Sequence, residues 1–509
     1  MLKLNKYLLI IGFVVGMQPL KAQEKPNVVF IYCDDLGYGD ISCNGATKIK
    51  TPNIDRIAKN GIRFTNSHAT SSICTPSRYA LLTGEYPWRQ QGTGIAAGNA
   101  GSIIDENQYT LADVFKTAGY KTAVVGKWHL GLGGANGPDW NGYIKPSPND
   151  LGFDYSYIIP ATPDRVPCVY VENHHVANLD PTDPLKVSYD TPLTELPIGK
   201  EHPELLKMMF SSNQHAETII NGISRIGYMS GGKSAWWKDE TMADEITAKA
   251  SEFIKKNQNN PFFLYFAIQD VHVPRAPSPR FVGKSGLGAR GDAILELDYN
   301  TGKILDLLDS LKLTANTIVV FSSDNGPVLD DGYKDDAVEK LNGHTPGGLM
   351  RGGKYSKFDA GTRMPTLIQW PTKIKGAQVS DALFSQLDFF ASFASLLNQN
   401  LPQSSAPDSQ NMLKVLLGNS KQGRKNVVEQ SLSKGLSLLS GDWKYIAPSK
   451  GPAVMKDKNM ETGILGKAQL YNLKNDIGET INLATKYPEK VEKMAATLKE
   501  IEDPHPHKN

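Results

Sequence analysis

Cys74, Arg78, Lys127, His129, His272 and Lys354 are the side chains whose types and surroundings equip this chain to make and break a bond. A thiol, two imidazoles and three cations offer a nucleophile, proton-transfer groups and a cradle for negative charge. Asp34, Asp35, Asp324 and Asn325 contribute oxygen donors only. Such a set suits a hard cation, Ca2+ or Mg2+, because zinc prefers imidazole and thiolate. With a divalent ion added, the cations outweigh the aspartates, and the positive surplus invites an oxyanion ester.

Residue 74 poses the sharpest question. In SSICTPSRYALLTGEYPWR (71–89), Thr75-Pro76 opens a helix with proline near its first position, and Arg78 lies one turn in on the side of Cys74. A helix N-terminus and an arginine both favour an anion beside position 74. Taken alone, Cys74 reads as an activated thiolate nucleophile. A hydrolase of that kind, however, gains nothing from a hard-cation site.

These residues must be held by something. Four apolar runs, NVVFIYC (27–33), KTAVVG (121–126), PFFLYFAI (261–268) and NTIVVFSS (316–323), read as strands covered on both faces. Between them TPNIDRIAKNG (51–61), TLADVFKTAGY (110–120) and DAILELDYNTGKILDLLDSL (292–311) read as helices. Strand and helix alternate, so the expected fold is α/β with a mostly parallel sheet. The strands run out into Asp34-Asp35, Lys127-Trp128-His129, Asp270-Val271-His272 and Asp324-Asn325-Gly326. In a parallel sheet such ends share one edge, where ligands bind. Any single pair is ordinary turn chemistry; four on one edge make a site. The stretch 160–235 is irregular and rich in Pro, Asp and Asn, as a substrate-shaping loop would be. NQNLPQSSAPDSQ (398–410) reads as a linker, and beyond it comes a smaller α+β subdomain with antiparallel strands.

Bulk properties exclude several classes. The 509 residues carry 55 basic and 53 acidic side chains, a balance that favours neither nucleic-acid binding nor membrane insertion. Residues 1–22 have a basic start (Lys3, Lys6), an apolar stretch from Tyr7 to Met17 and small Ala22 before Gln23, the pattern of a cleaved signal peptide. That stretch is too short to span a bilayer. The expectation is an exported protein, periplasmic or secreted and soluble after cleavage, with a catalytic domain over 23–404 and a C-terminal subdomain over 405–509. Cys33, Cys43, Cys74 and Cys168 are too few for a disulfide framework.

CTPSR (74–78) matches the Cys-x-Pro-x-Arg signature of type I sulfatases, with YALLTGEYPWR (79–89) as its extension and GKWHLG (126–131) resembling a second signature. The resemblance covers nearly the whole mature chain, from PNVVFIYCDDLGYGD (26–40) to LYNLKNDIGETINLA (470–484). It implies the alkaline-phosphatase-like α/β sandwich and a cysteine oxidised to formylglycine (3-oxoalanine) by a maturase that reads the segment around Cys74. It also implies one Ca2+ held by Asp34, Asp35, Asp324, Asn325 and modified Cys74. Lys127, Lys354 and Arg78 would be the sulfate-binding cations, with His272 donating a proton to the leaving oxygen and His129 assisting at the gem-diol. The gem-diol explains the aldehyde: one hydroxyl takes the sulfuryl group, and loss of the other's proton expels sulfate, which a serine could not do. Asp359-Ala360-Gly361 stands where the family usually has Glu-Gly. Bacterial carbohydrate sulfatases with a similar insert act on galactose or N-acetylgalactosamine of mucins and glycosaminoglycans. On that likeness Asp164 and Arg165 in PDRVP, and His174 and His175 in ENHHV, are expected to approach a sugar. Two other readings remain open, a phosphodiester or phosphonate hydrolase of the same superfamily and a non-catalytic glycan-binding relative.

Overall fold

The seven residues of NVVFIYC are all buried, because strands lie on both sides of the run and helices cover both of its faces. In a computed structural model of the chain, which describes residues 25–503 apart from 194, 433 and 434, this run is the strand β1 (Asn27–Cys33). The expected signal peptide lies outside the described residues.

Nine further strands join β1 in one sheet. They are β2 (Gly61–Phe64), β3 (Lys121–Lys127), β4 (Tyr155–Ile159), β5 (Val171–Glu172), β6 (His175–Val176), β7 (Phe262–Ala267), β8 (Thr317–Ser323), β9 (Thr366–Gln369) and β10 (Gln378–Ser380). Their order is β10-β2-β9-β8-β1-β7-β3-β4-β5-β6. The central block from β8 to β4 is parallel, whereas β9 against β8 and β2, and the β5–β6 ribbon, are antiparallel. The mostly parallel α/β sheet is therefore present, with antiparallel additions on both flanks.

Register decides where the chemistry sits. Cys33 pairs with Ser323, Ile31 with Phe266, and Ala267 with Gly126. The four strands thus end together, and the residues just past each end lie on one edge. Gly126 (φ 113°) is required there, because a Cβ on it would fall 2.0 Å from the Ala267 carbonyl oxygen.

Helices α1 (Pro52–Lys59), α2 (Cys74–Thr83), α3 (Leu111–Thr117), α4 (Met242–Lys256), α5 (Gly288–Ser310) and α6 (Asp388–Leu396) flank the sheet. Phe115 of α3 stacks on Phe263 of β7, with ring centroids 4.1 Å apart. All ten residues of α2 are buried, as expected of a helix packed on every side. Tyr79, Leu81 and Leu82 join the main core, while Ala80 joins a second core with Val428, Leu438 and Leu470. That second core belongs to an antiparallel sheet of β11 (Asn426–Gln430), β12 (Leu436–Ser440), β13 (Trp443–Ile446) and β14 (Gln469–Asn472). The terminal helix α7 (Pro488–Glu502) closes it with Met494 and Leu498. The helix that begins at Cys74 is clamped between two sheets.

The expected linker is pinned rather than loose. Asp408 accepts bonds from Arg89 at 2.8 and 2.9 Å, and Ala406 packs against Gly84, the left-handed residue that ends α2. Among the described residues no helix is long and apolar enough to cross a membrane.

Candidate active site

At the shared strand edge, Asp34, Asp35, Arg78, Lys127, His129, Asp324 and Asn325 have no exposed surface, and Cys74 and Lys354 are 2% exposed. Lys127 Nζ lies 2.5 Å from Asp34 Oδ2 and 3.6 Å from Asp324 Oδ2. Lys354 Nζ lies 2.8 Å from Asp35 Oδ2. Arg78 donates from Nε to Asp324 Oδ2 at 2.9 Å and from Nη1 to the Lys127 carbonyl at 3.2 Å, with its guanidinium beside the Tyr32 ring. Asn325 Nδ2 donates to Asp35 Oδ1 at 2.7 Å.

The donors fit a hard cation. Asp34 Oδ1 and Asn325 Oδ1 are buried without a hydrogen-bond partner, which leaves two oxygen acceptors to be completed. Burial, and then the neighbouring Asp324, push the Asp34 carboxyl well up from its usual range. A divalent ion among the carboxylates would cancel that repulsion. A ring nitrogen of His272 also lies within 4.8 Å of oxygens of Asp34 and Asp35.

Residue 74 sits at the start of α2 with its Sγ 3.2 Å from His129 Nδ1. His129 Nε2 is 3.0 Å from the Ala96 carbonyl, a contact that needs the proton on Nε2 and leaves the Nδ1 lone pair facing residue 74. Burial, then Lys127 and Arg165, hold His129 well below its usual pKa, so the ring is neutral, with its Nδ1 lone pair free toward residue 74. Burial outweighs Lys127 and Lys354 at Cys74 and pushes its thiol up. Cys74 as it stands is no activated thiolate. His272 donates from Nδ1 to the Val273 carbonyl at 2.7 Å, and its Nε2 lies 3.2 Å from Lys354 Nζ. Asp35, His129 and Tyr355 all have φ between 57° and 73°. Left-handed backbone costs such residues about 1–3 kcal/mol each, and clusters of it mark functional sites.

The sulfatase family model matches residues 26–399. The chain belongs to the sulfatase family. It is 56% identical over 478 residues to the N-acetylgalactosamine-6-O-sulfatase of Bacteroides thetaiotaomicron, covering 94% of this chain and 93% of the relative. It is 32% identical to human arylsulfatase A, over 80% of this chain and 71% of that protein. A solved Bacteroides thetaiotaomicron sulfatase, from work on the metabolism of multiple glycosaminoglycans, superposes with a TM-score of 0.93 at 56% identity and covers 94% of this chain and 99% of its own. The fold is accordingly that of the alkaline-phosphatase-like sulfatases, and the enzyme is a sulfuric ester hydrolase.

The sulfatase's cavity, about 230 Å³, opens over Cys74 and is lined by His129, His272 and Lys354. Arg78 and Lys127 lie beneath it, bonded to the aspartates and absent from its wall. Asp164 and Arg165 reach the wall. Asp164 is held by Arg165 Nη1 at 3.0 Å and His215 Nε2 at 3.1 Å. Burial alone would raise Asp164, yet Arg165 and His215 hold it well below the usual carboxylate range.

His174 and His175 do not reach it. They sit on the β5–β6 ribbon at the far edge of the sheet, where His174 stacks on Tyr143 at 4.3 Å and bonds the Ile144 carbonyl at 3.0 Å. His175 bonds the Gly142 carbonyl at 3.0 Å. The expectation that they approach the sugar is therefore wrong: they brace a hairpin against residues 142–147. Sequence reasoning also missed wall residues. His215 lies in the irregular insert, Asp331 and Tyr355 flank Lys354, and Lys458 arrives from beyond residue 405. Asp331 accepts from Lys354 at 3.1 Å and Lys458 at 2.8 Å. Only the adjacency of Asp331 to the DNG turn (324–326) and of Tyr355 to Lys354 offered a sequence signal.

Proposed function

We propose that this sulfatase removes the 6-O-sulfate of N-acetylgalactosamine-type sugars, of the kind found in glycosaminoglycans and mucins, using formylglycine made from Cys74 and one Ca2+. The observation that carries the substrate is the 56% identity to a named N-acetylgalactosamine-6-O-sulfatase across nearly the whole of both chains. The cavity supports it, being a partly open recess over residue 74 with charged and polar side chains on its wall. Export of the mature chain, with a catalytic part over 23–404 and a C-terminal part over 405–509, belongs to the same reading.

The metal ligands in this reading are Asp34, Asp35, Asp324, Asn325 and the oxidised residue 74; the ion would supply charge stabilisation at the attacking oxygen and the sulfuryl oxygens. Formylglycine would supply a hydrated aldehyde that accepts the sulfuryl group and then releases sulfate by losing a hydroxyl proton. The remaining work falls to the side chains. His129 Nδ1, the lone pair facing residue 74, takes that proton. Lys354 stabilises charge on the sulfuryl oxygens from the cavity wall, and Lys127 and Arg78 raise the field from below. His272 gives a proton to the departing sugar oxygen. Arg165 and Asp164, side by side, grip sugar hydroxyls. Since Cys74 is buried between two sheets, a maturase must act on this segment before the chain folds.

Cys74→Ala is expected to abolish sulfate release with the fold intact, and mass spectrometry of active protein should show the peptide around residue 74 without its cysteine sulfur. A panel of N-acetylgalactosamine and galactose 4- and 6-sulfates should give release from the 6-sulfates. Full activity of Cys74→Ala, or release only from 4-sulfates, refutes the corresponding half of the proposal.

A further inference from the structure

The C-terminal part of the chain reaches the cavity at Leu432 and at a ribbon, Val454–Met455 paired with Met460–Glu461. Lys458, in the connecting turn, lines the cavity. Its Nζ lies 2.8 Å from Asp331 Oδ1, and the side chain is 7% exposed. Asp331 Oδ2 accepts from Lys354 at 3.1 Å. Two ammonium groups thus share one carboxylate, leaving one positive charge uncompensated within that trio. An ammonium has three donors. Lys458 commits one to Asp331, and its other carboxylate neighbour, Asp457, stands at 3.9 Å, beyond hydrogen-bond range, with a side chain 61% exposed.

The rest of the wall has the same bias. Among the described residues the Arg165 guanidinium bonds through Nη1, to Thr162 and Asp164. Asp164 is taken up by Arg165 and His215, and Asp331 by two lysines. Asp457 lines the cavity as well, so its three carboxylates match its three cations in number, but Asp457 is turned largely to solvent, and the donors left over on the buried Lys458 face the cavity where a second anion can take them. Lys354 serves that ester in the reaction derived above, and Lys458 has no part in it.

We infer that Lys458 is a second anion-binding residue of the substrate cavity, taking an anionic substituent other than the ester being cleaved. That substituent is either a second sulfate on the same ring or the carboxylate of an adjoining sugar. The inference rests on the sulfatase reading of the cavity, and it makes the C-terminal ribbon a determinant of specificity. A hydrogen bond to a charged group of this kind corresponds to roughly ten- to a hundredfold in KM.

The test compares the full-length enzyme with Lys458→Met and Lys458→Arg on three substrates. They are N-acetylgalactosamine 6-sulfate, the 4,6-disulfate, and a disaccharide joining a uronic acid to the 6-sulfated sugar. Lys458→Met should raise KM on one of the two doubly anionic substrates ten- to a hundredfold more than on the monosulfate, with kcat unchanged, and Lys458→Arg should restore most of the loss. The arm that loses names the source of the second anion. Equal loss on all three substrates, which would mean Lys458 acts through Asp331 and Lys354, overturns the inference, as does no loss on any. Calorimetric binding of the same three sugars to Cys74→Ala, with and without Lys458→Met, reads the subsite without turnover. Unchanged affinity for both dianions there also overturns it. If the unsubstituted enzyme releases no sulfate at all, the reaction reading fails while this binding measurement still decides the subsite.

Discussion

Removing the His272 imidazole should separate two kinds of leaving group. The ring is fixed by its Nδ1 bond to the Val273 carbonyl at 2.7 Å, and its Nε2 lies 3.2 Å from Lys354 Nζ at the cavity wall. In the free site burial, and then Lys354, push its pKa down to about 4, so Nε2 carries the lone pair; an anionic ester beside the ring favours the protonated form. A sugar alkoxide needs a proton as its S–O bond breaks, whereas a nitrophenolate departs with little help. A general acid is worth about 10²–10⁴-fold, so His272→Ala should lower kcat/KM on a sugar 6-sulfate by about 10³-fold, a loss of about 4 kcal/mol of transition-state stabilisation. The loss on 4-nitrophenyl sulfate should stay within about tenfold, because the proton is barely needed there. Lys354 keeps its bonds to Asp35 at 2.8 Å and Asp331 at 3.1 Å, so the cost to folding should be about 1 kcal/mol for the lost hydrogen bond. Circular dichroism and thermal denaturation verify that the variant is folded; steady-state sulfate release supplies the two rates. Equal losses on both esters would refute the reasoning, and His272 would then be holding the sulfate or Lys354 rather than donating a proton.

Chelation should lower activity, and Ca2+ should restore it better than Zn2+, since Asp34, Asp35, Asp324 and Asn325 offer only oxygen; recovery with Zn2+ alone counts against the hard-cation site. Lys444→Met should destabilise the fold by about 3–5 kcal/mol, because it strands the buried carboxylates of Glu429 at 3.0 Å and Asp359 at 3.4 Å, as measured by urea denaturation. The rate on 4-nitrophenyl sulfate per folded molecule should hold, and loss of that rate without loss of stability would contradict that reading. His174→Ala and His175→Ala should leave KM on sugar sulfates within about twofold, since both rings bond the backbone carbonyls of Ile144 and Gly142; a tenfold rise in KM would return them to the substrate site.

Sequence made the strand-end constellation legible because burial on both faces turns β1, β3, β7 and β8 into near-continuous apolar runs, and parallel register then forces their ends together. The antiparallel β2 and β9 are only four residues long, GIRF and TLIQ, and carry no such signal. The β5–β6 hairpin did carry one, in Val169, Val171 and Val176 around Asn173 (φ 55°), the left-handed turn residue. Its polar composition read as a loop, and the two histidines were misplaced with it. Lys458 had no local mark at all: it comes to Asp331 from the turn of a ribbon far along the chain, a contact no periodicity encodes.

Packing against the C-terminal sheet holds Asp359. Asp359 is buried beneath that sheet, with Oδ2 2.5 Å from Arg363 Nε and Oδ1 3.4 Å from Lys444 Nζ of β13. Its backbone N–H donates to Glu479 Oε2 at 2.6 Å. The segment that carries Lys354 is thereby tied to the C-terminal sheet at Asp359 and to the cavity ribbon through Asp331 and Lys458. Position 354 is set from both sheets, as position 74 is by α2, so the two sides of the ester would be held by the same interface. A substitution that loosens that interface should therefore widen the gap between sugar sulfates, which need every wall residue in place, and small aryl sulfates, which need only the floor.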